Sequence, residues 1–179
     1  MNKQNRFLPT TKDEMKQGGW DELDVVLITG DAYIDSPFMG IAVVGRILED
    51  IGLRVGIIGQ PDINSDVDIK RLGEPKLFWG VSGGSIDSMV SNYTATKKFR
   101  NDDDYTPGGK NNKRPDRATL VYTNLIRRYF KNTAPIVLGG IEASLRRLTH
   151  YDYCQTLLEN QFYLIQKLII WFMEWVNKQ

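Results

Sequence analysis

The chain has 179 residues, 41% of them hydrophobic and 25% charged, with a formal net charge of +1. That is enough for one domain with a real core, and too balanced for the whole molecule to be drawn to nucleic acid or an anionic membrane by its field. One cysteine, Cys154, excludes an internal disulfide and a thiolate-rich metal centre, and the lone histidine, His150, is all that a Ser/His/Asp or Cys/His engine would have.

Residues 1–23 are polar and without a clear period, and Phe7, Leu8 and Pro9 read as an extended arm lying on the domain. MNKQNRFLPTTKDE lacks an apolar run of signal-peptide length, so a cytoplasmic location is expected. Asp24 to Thr29 is a short, continuous, β-branched run of the kind that forms a strand buried on both faces of a parallel sheet. After a loop from Gly30 to Ser36, the spacing of Ile41, Val44, Leu48 and Ile51 predicts a helix from Pro37 to Asp50, which Gly52 stops. Leu53 to Ile58 is a second strand, completing a βαβ signature, and Gln60-Pro61-Asp62 is a turn. Lys76 to Val81 is a third strand, ending in Ser82-Gly83-Gly84-Ser85 and followed by a helix through Met89 and Val90. Residues 94–116 form a long polar loop, a length that in a compact domain marks function or disorder. A helix from Arg117 to Lys131, a strand from Ala134 to Leu138, and a helix from Ile141 to Leu148 follow. The alternation predicts an α/β fold: a Rossmann-like, mostly parallel sheet of about four strands with flanking helices and right-handed crossovers.

Ligands of such sheets bind beyond the carboxyl ends of the strands. Three segments meet that condition, and from them come the candidate binding residues Asp31, Tyr33, Asp35, Ser82, Gly83, Gly84, Gly139, Gly140 and Glu142. Glycines let backbone N–H groups approach a ligand, and a helix start behind them favours an anion; the plain alternative is a set of strand-to-helix turns. Neither GxGxxG after the first strand nor GxxxxGK[ST] occurs, so nicotinamide and nucleoside-triphosphate sites lack their fingerprints. Asp31 and Asp35 are two carboxylates without a third metal ligand, and read better as solvated loop acids or helix caps. Lys97, Lys98, Arg100, Lys110, Lys113 and Arg114, with Tyr93 and Tyr105, have the composition of an RNA or phosphate contact. Asp102, Asp103 and Asp104 interrupt them, which favours a solvated mixed-charge loop. His150 reads as a packed or exposed histidine rather than a ligand. No catalytic residue and no metal site is expected.

The order of longer motifs carries more. FLPTT at 7–11, GDAYIDSP at 30–37, GRILEDIGLRVGIIGQP at 45–61, YTPGGK at 105–110, RPDRA at 114–118 and VLGGIEASLRRLTHYDY at 137–153 together resemble the amino-terminal domain of the YgiQ-type radical SAM proteins. The resemblance implies a Rossmann-like domain, similar to cobalamin-binding domains, set before a radical SAM barrel. That barrel would hold a [4Fe–4S] cluster on CxxxCxxC and cleave S-adenosylmethionine. This chain has no CxxxCxxC. The cobalamin motif DxHxxG is also not met: Asp31 is followed two residues on by Tyr33, so histidine ligation of cobalt from this loop is not supported.

After Tyr153 the character changes, dividing the chain into a domain at 1–153 and an apolar tail at 154–179. Codons for Cys154 to Gln161 can be chosen so that one added G makes them read W-S-D-T-F-R-K-S, then ILFDSKADYLVYGMGE, a family-like continuation. A one-base deletion near codon 154 is therefore expected, with a missing strand, an open sheet edge and poor solubility as consequences. The alternatives are a terminal helix with Phe162, Ile165, Ile169, Phe172 and Val176 on one face, or a membrane span, which Gln166, Lys167 and Glu174 interrupt. The expected function is that of an accessory domain whose partner is the absent barrel, without catalysis of its own. The competing expectations are a stand-alone small-ligand module using the same loops, and an interaction domain using the tail. Nucleic acid and membrane are not expected partners.

Overall fold

A computed structural model of the chain describes residues 7–152, 154, 156–159 and 169–170. Within them, β1 (Val25–Thr29), β2 (Val55–Gly59), β3 (Phe78–Ser82) and β4 (Ile136–Gly139) form a parallel sheet flanked by helices. A two-residue strand, β7 (Ile169–Ile170), adds in parallel to β4, giving the order β2-β1-β3-β4-β7. The chain thus runs outward from β1 in one direction to β2 and in the other to β3 and β4. The α/β expectation holds.

Strand alternation divides the core in two. Val25, Leu27, Val55 and Ile57 point to one face, under α2 (Gly40–Asp50), whose Ile41, Val44 and Leu48 pack on them at helical spacing. Val26, Ile28, Ile58, Trp79, Val81, Ile136 and Leu138 point to the other. There they meet Tyr122, Leu125 and Ile126 of α5 (Ala118–Tyr129), Ile69 of α3 (Val67–Lys70) and Ala143 of α6 (Gly140–Leu145). β1 is buried at all five positions, as a central strand covered on both faces must be. Trp79 is fully buried, donates from Nε1 to Thr133 Oγ1 at 2.8 Å and lies 5.1 Å, ring to ring, from Phe130. Burying such a side chain contributes about 3 kcal/mol.

The arm lies on the domain as expected. Leu8 is fully buried among α2, β1 and β2, and Pro9 O accepts from Ile57 N at 2.9 Å, covering the free edge of β2. The segment read as aperiodic contains a short helix, α1 (Lys12–Gln17). It is started by a capping box in which Thr11 Oγ1 accepts from Glu14 N while the Glu14 carboxylate accepts from Thr11 N.

Some boundaries differ from expectation. The helix expected from Pro37 begins at Gly40, because Ser36 and Met39 close a turn first. The helix after β4 stops at Leu145 rather than Leu148; His150–Asp152 (β5) and Leu157–Glu159 (β6) then pair antiparallel, an unforeseen hairpin. Ile169, placed by the terminal-helix alternative on its apolar face, lies in β7, and the β4 edge expected to be open has β7 against it over two residues. Most of the tail lies outside the described residues, and with it the rest of those expectations. Among the described residues no helix is long and apolar enough to cross a membrane.

Candidate functional site

The loops after β1, β3 and β4 meet at the carboxyl end of the sheet, and their glycines are what allow them to meet. A Cβ on Gly30 would stand 2.1 Å from Gly83 O, so the two loops touch backbone to backbone. Gly84 has φ +114°, and a Cβ there would stand 2.2 Å from Asp31 Oδ1. Gly139 sits beside Ser82 in register, and Gly140 packs against the Ser82 hydroxyl.

Two acids from this rim turn inward. Asp31 is 1% exposed, which corrects the reading of a solvated loop acid or helix cap. Its Oδ2 accepts from Ser85 N at 2.6 Å and Ser85 Oγ at 2.7 Å, and its Oδ1 lies 2.8 Å from Arg114 Nη2 as an ion pair without hydrogen-bond alignment. Burial of the carboxylate is offset by these partners. Arg114, grouped from sequence with the solvated basic residues of the long loop, is buried. The same Nη2 lies 3.3 Å from both oxygens of buried Asp103, and the guanidinium stacks over Tyr105 with Cζ 5.5 Å from the ring centre. Its Nε and Nη1, like the hydroxyl of buried Tyr122, have no protein hydrogen-bond partner among the described residues. Burial pushes the Tyr122 phenol well above its usual range, so it stays neutral.

Glu142 is fully buried. Oε2 accepts from Ser88 N at 2.9 Å, and Oε1 accepts from Thr119 N at 2.9 Å and from Thr119 Oγ1. Ser88 opens α4 (Ser88–Asn92) and Thr119 is in the first turn of α5, so one carboxylate satisfies N–H groups at two helix starts. Gly83 leaves the space it occupies: a Cβ there would stand 2.4 Å from Oε2.

The long loop is built into the rim rather than loose. Ala32 N donates to Tyr105 O at 2.9 Å, and Gln60 Nε2 donates to Gly30 O at 3.0 Å and Thr106 Oγ1 at 2.6 Å. Thr106 Oγ1 in turn donates to Asp103 at 2.7 Å. At its far end, Asn92 Nδ2 and Tyr93 Oη each donate to Asp116 at 2.7 Å.

Of the nine residues chosen from sequence, Asp31, Ser82, Gly83, Gly84, Gly139, Gly140 and Glu142 come together. Tyr33 and Asp35 do not. The Tyr33 hydroxyl accepts from Leu8 N at 3.3 Å, and burial pushes its pKa up to about 12; Asp35 pairs with Arg46 of α2. Ser88, Asp103, Arg114 and Thr119 were missed as members of this cluster. RPDRA carried the one visible signal, a charged residue between a long loop and a helix start. His150 lies away from the cluster, its Nδ1 3.2 Å from Leu148 O.

The fold and rim define a class: a parallel α/β domain whose strand-end face is bound together by glycine contacts and buried charges. The chain belongs to the radical SAM N-terminal family, whose model matches residues 7–165. A UPF0313 protein of Thermotoga petrophila is 63% identical over 147 residues, covering 82% of this chain and 26% of that protein. A UPF0313 protein of Fusobacterium nucleatum is 63% identical over 149 residues, 83% of this chain and 26% of the relative. One from Pseudomonas aeruginosa is 56% identical over 149 residues, 83% of this chain and 20% of the relative. The chain thus spans about a quarter of the length of the relatives it matches. No solved structure matches it.

Proposed function

We propose that this chain is the accessory N-terminal domain of a YgiQ-type radical SAM enzyme, with no catalysis of its own. The observation that carries the reading is a radical SAM N-terminal match over residues 7–165 in a chain with one thiol. A [4Fe–4S] cluster on CxxxCxxC and S-adenosylmethionine belong, on this reading, to the barrel of the intact protein. The donors here do not fit that cluster: Cys154, partly buried beside the β5–β6 hairpin, is alone. Nor do they fit histidine-ligated cobalamin, since Tyr33 stands where the ligand would be and its hydroxyl is engaged by Leu8 N.

The loops at 30–37, 82–85 and 139–142 serve as the face that meets the barrel. Support comes from their construction: Asp31 is ion-paired with Arg114 and accepts from Ser85, and Glu142 accepts from Ser88 and Thr119, which suits a rigid platform better than a site that must exchange partners with a ligand. The test pairs the purified chain with the remaining three quarters of the Thermotoga petrophila relative. Under anaerobic iron and sulfide, the chain alone is expected to form no cluster chromophore and to leave S-adenosylmethionine intact, while the relative's remainder forms the cluster and binds the chain. Cleavage of S-adenosylmethionine by the chain alone, or no binding between the two, refutes the proposal.

A further inference from the structure

Beside the sealed rim, one strand further out, the carboxyl end of β2 opens on a hollow of about 340 Å³, within the range of small-molecule sites. Its walls include Thr10 of the arm, Tyr33, Gln60, Arg71, Pro107 and Lys113, drawn from separate segments of the chain, and among the described residues no carboxylate lines it. Two cations therefore face a shared space without an acid in it. Lys113 is exposed and makes no ion pair among the described residues. Among the described residues, Arg71 touches Asp68 only through Nη1, at 3.3 Å, and its Nε is buried with no hydrogen-bond partner. Asp68 is committed elsewhere as well, its other oxygen accepting from Asp62 N at 2.9 Å. Arginine grips a carboxylate or phosphate through paired N–H donors, and the Arg71 side chain is 33% exposed, so it can be reached from the hollow.

The floor of the hollow is held in a costly shape. Gln60 has φ +46°, a left-handed conformation that residues with a Cβ avoid. It is fixed there by its own N–H to Thr29 O at 2.8 Å and by its side-chain bonds to Gly30 and Thr106. The long loop that brings Lys113 over the hollow is fastened through the same Gln60 side chain. Tyr33, neutral because burial raises its phenol, supplies a wall that adds no charge to repel an anion.

We propose that this hollow binds a small phosphate-bearing molecule, whose dianion is held between Arg71 and Lys113 at the end of β2. Two cations match two negative charges, and the ring of Tyr33 and the face of Pro107 leave an apolar side for the rest of the ligand. The site does not depend on the radical SAM reading. It lies outside the Asp31–Glu142 cluster, and its test uses neither iron nor S-adenosylmethionine, so either proposal can fail without the other.

The test is a nitrogen-edited NMR titration of the full chain with inorganic phosphate and with glycerol 3-phosphate, at ionic strength held constant with chloride. Saturable shifts are expected at the amides of Gly59, Gln60 and Lys113, with the phosphate ester binding more tightly than inorganic phosphate. Arg71→Gln and Lys113→Gln should each weaken binding about tenfold, and the double variant should abolish it. Lys113 is exposed and makes no ion pair among the described residues, so Lys113→Gln and Lys113→Glu keep the fold and decide the matter even if Arg71→Gln unfolds. Shifts that stay linear to about 10 mM, or an affinity unchanged in Lys113→Glu, overturn the proposal.

Discussion

Arg114→Leu is the substitution that tests the rim most directly. The Arg114 side chain is 0% exposed, and those of the acids it serves, Asp31 and Asp103, are 2% and 1% exposed. Removing one partner of a buried ion pair costs about 3–5 kcal/mol, since the other charge stays buried and uncompensated. Here the acids keep part of their support. Asp31 retains Ser85 N and Oγ, and Asp103 retains Tyr105 N at 3.0 Å and Thr106 Oγ1. That places the loss near the lower end, about 3 kcal/mol, a large share of the roughly 5–15 kcal/mol typical of a domain. With a urea slope of about 2 kcal/mol per molar, the midpoint followed by far-ultraviolet circular dichroism should fall by about 1.5 M. Combining Arg114→Leu with Asp31→Asn and Asp103→Asn should recover part of that, because the stranded charges go with the arginine. A stability within about 0.5 kcal/mol of the parent for Arg114→Leu alone would refute the argument that these charges hold the three loops together.

Elsewhere in the sheet, Asp24 is bonded by the Arg54 side chain at 2.6 and 2.9 Å and by Arg54 N at 2.8 Å, and its pKa is drawn down to about 2, against about 3.9 in an unfolded chain. A lowered folded-state value means stability that is present above pH about 4 and lost as pH falls toward 2; Asp24→Asn should flatten that segment of a pH-dependent unfolding curve by about 1 kcal/mol, the pair being partly screened by water. At the rim, Gly84→Ala should lower the thermal midpoint by the equivalent of more than about 1 kcal/mol, since φ is +114° and the new methyl meets Asp31. Gly139→Ala, with φ −142° and nothing within 4 Å of the added atom, should stay within about 0.5 kcal/mol of the parent by the same measurement.

What could be read from sequence was what repeats locally. β1 announces itself because both of its faces are buried, leaving an unbroken apolar run up to Thr29, and α2 because Ile41, Val44 and Leu48 recur on one side. The capping box at Thr11 and Glu14 was equally local, but α1 behind it is too short to show a period. The hairpin of β5 and β6 was obscured for another reason: its strands are three residues each, shorter than any alternation can reveal. The cluster was half legible. Strand-end glycines mark where loops converge, but a charge in sequence does not say whether it faces water. Glu142 and Arg114 are inside because their partners arrive from elsewhere in the chain, Ser88 and Thr119 for one and Asp31 for the other, with Asp103 folded back from within Arg114's own loop. The Arg71–Lys113 hollow was invisible for the same reason, since only the folded loop at 94–116 brings Lys113 to the same hollow as Arg71, the residue that follows α3.

These placements bear on where a ligand can enter. In a doubly wound sheet the crevice opens where successive connections leave in opposite directions, here between β1 and β3. In this domain that crevice is filled by its own chain: Gly30 and Gly83 touch, and Arg114 reaches Asp31 between the two loops. An entering molecule would have to break an ion pair and force the two backbones apart before gaining any contact. Next to β2 no such barrier stands; two cations face a space that no acid lines among the described residues, beside a residue already held in a strained conformation. Filling the first position with Arg114 fixes the long loop, and fixing that loop is what brings Lys113 to the second. The sealed crevice and the open hollow are therefore one construction, and loosening Arg114 should cost the hollow its lysine as well as the domain its stability.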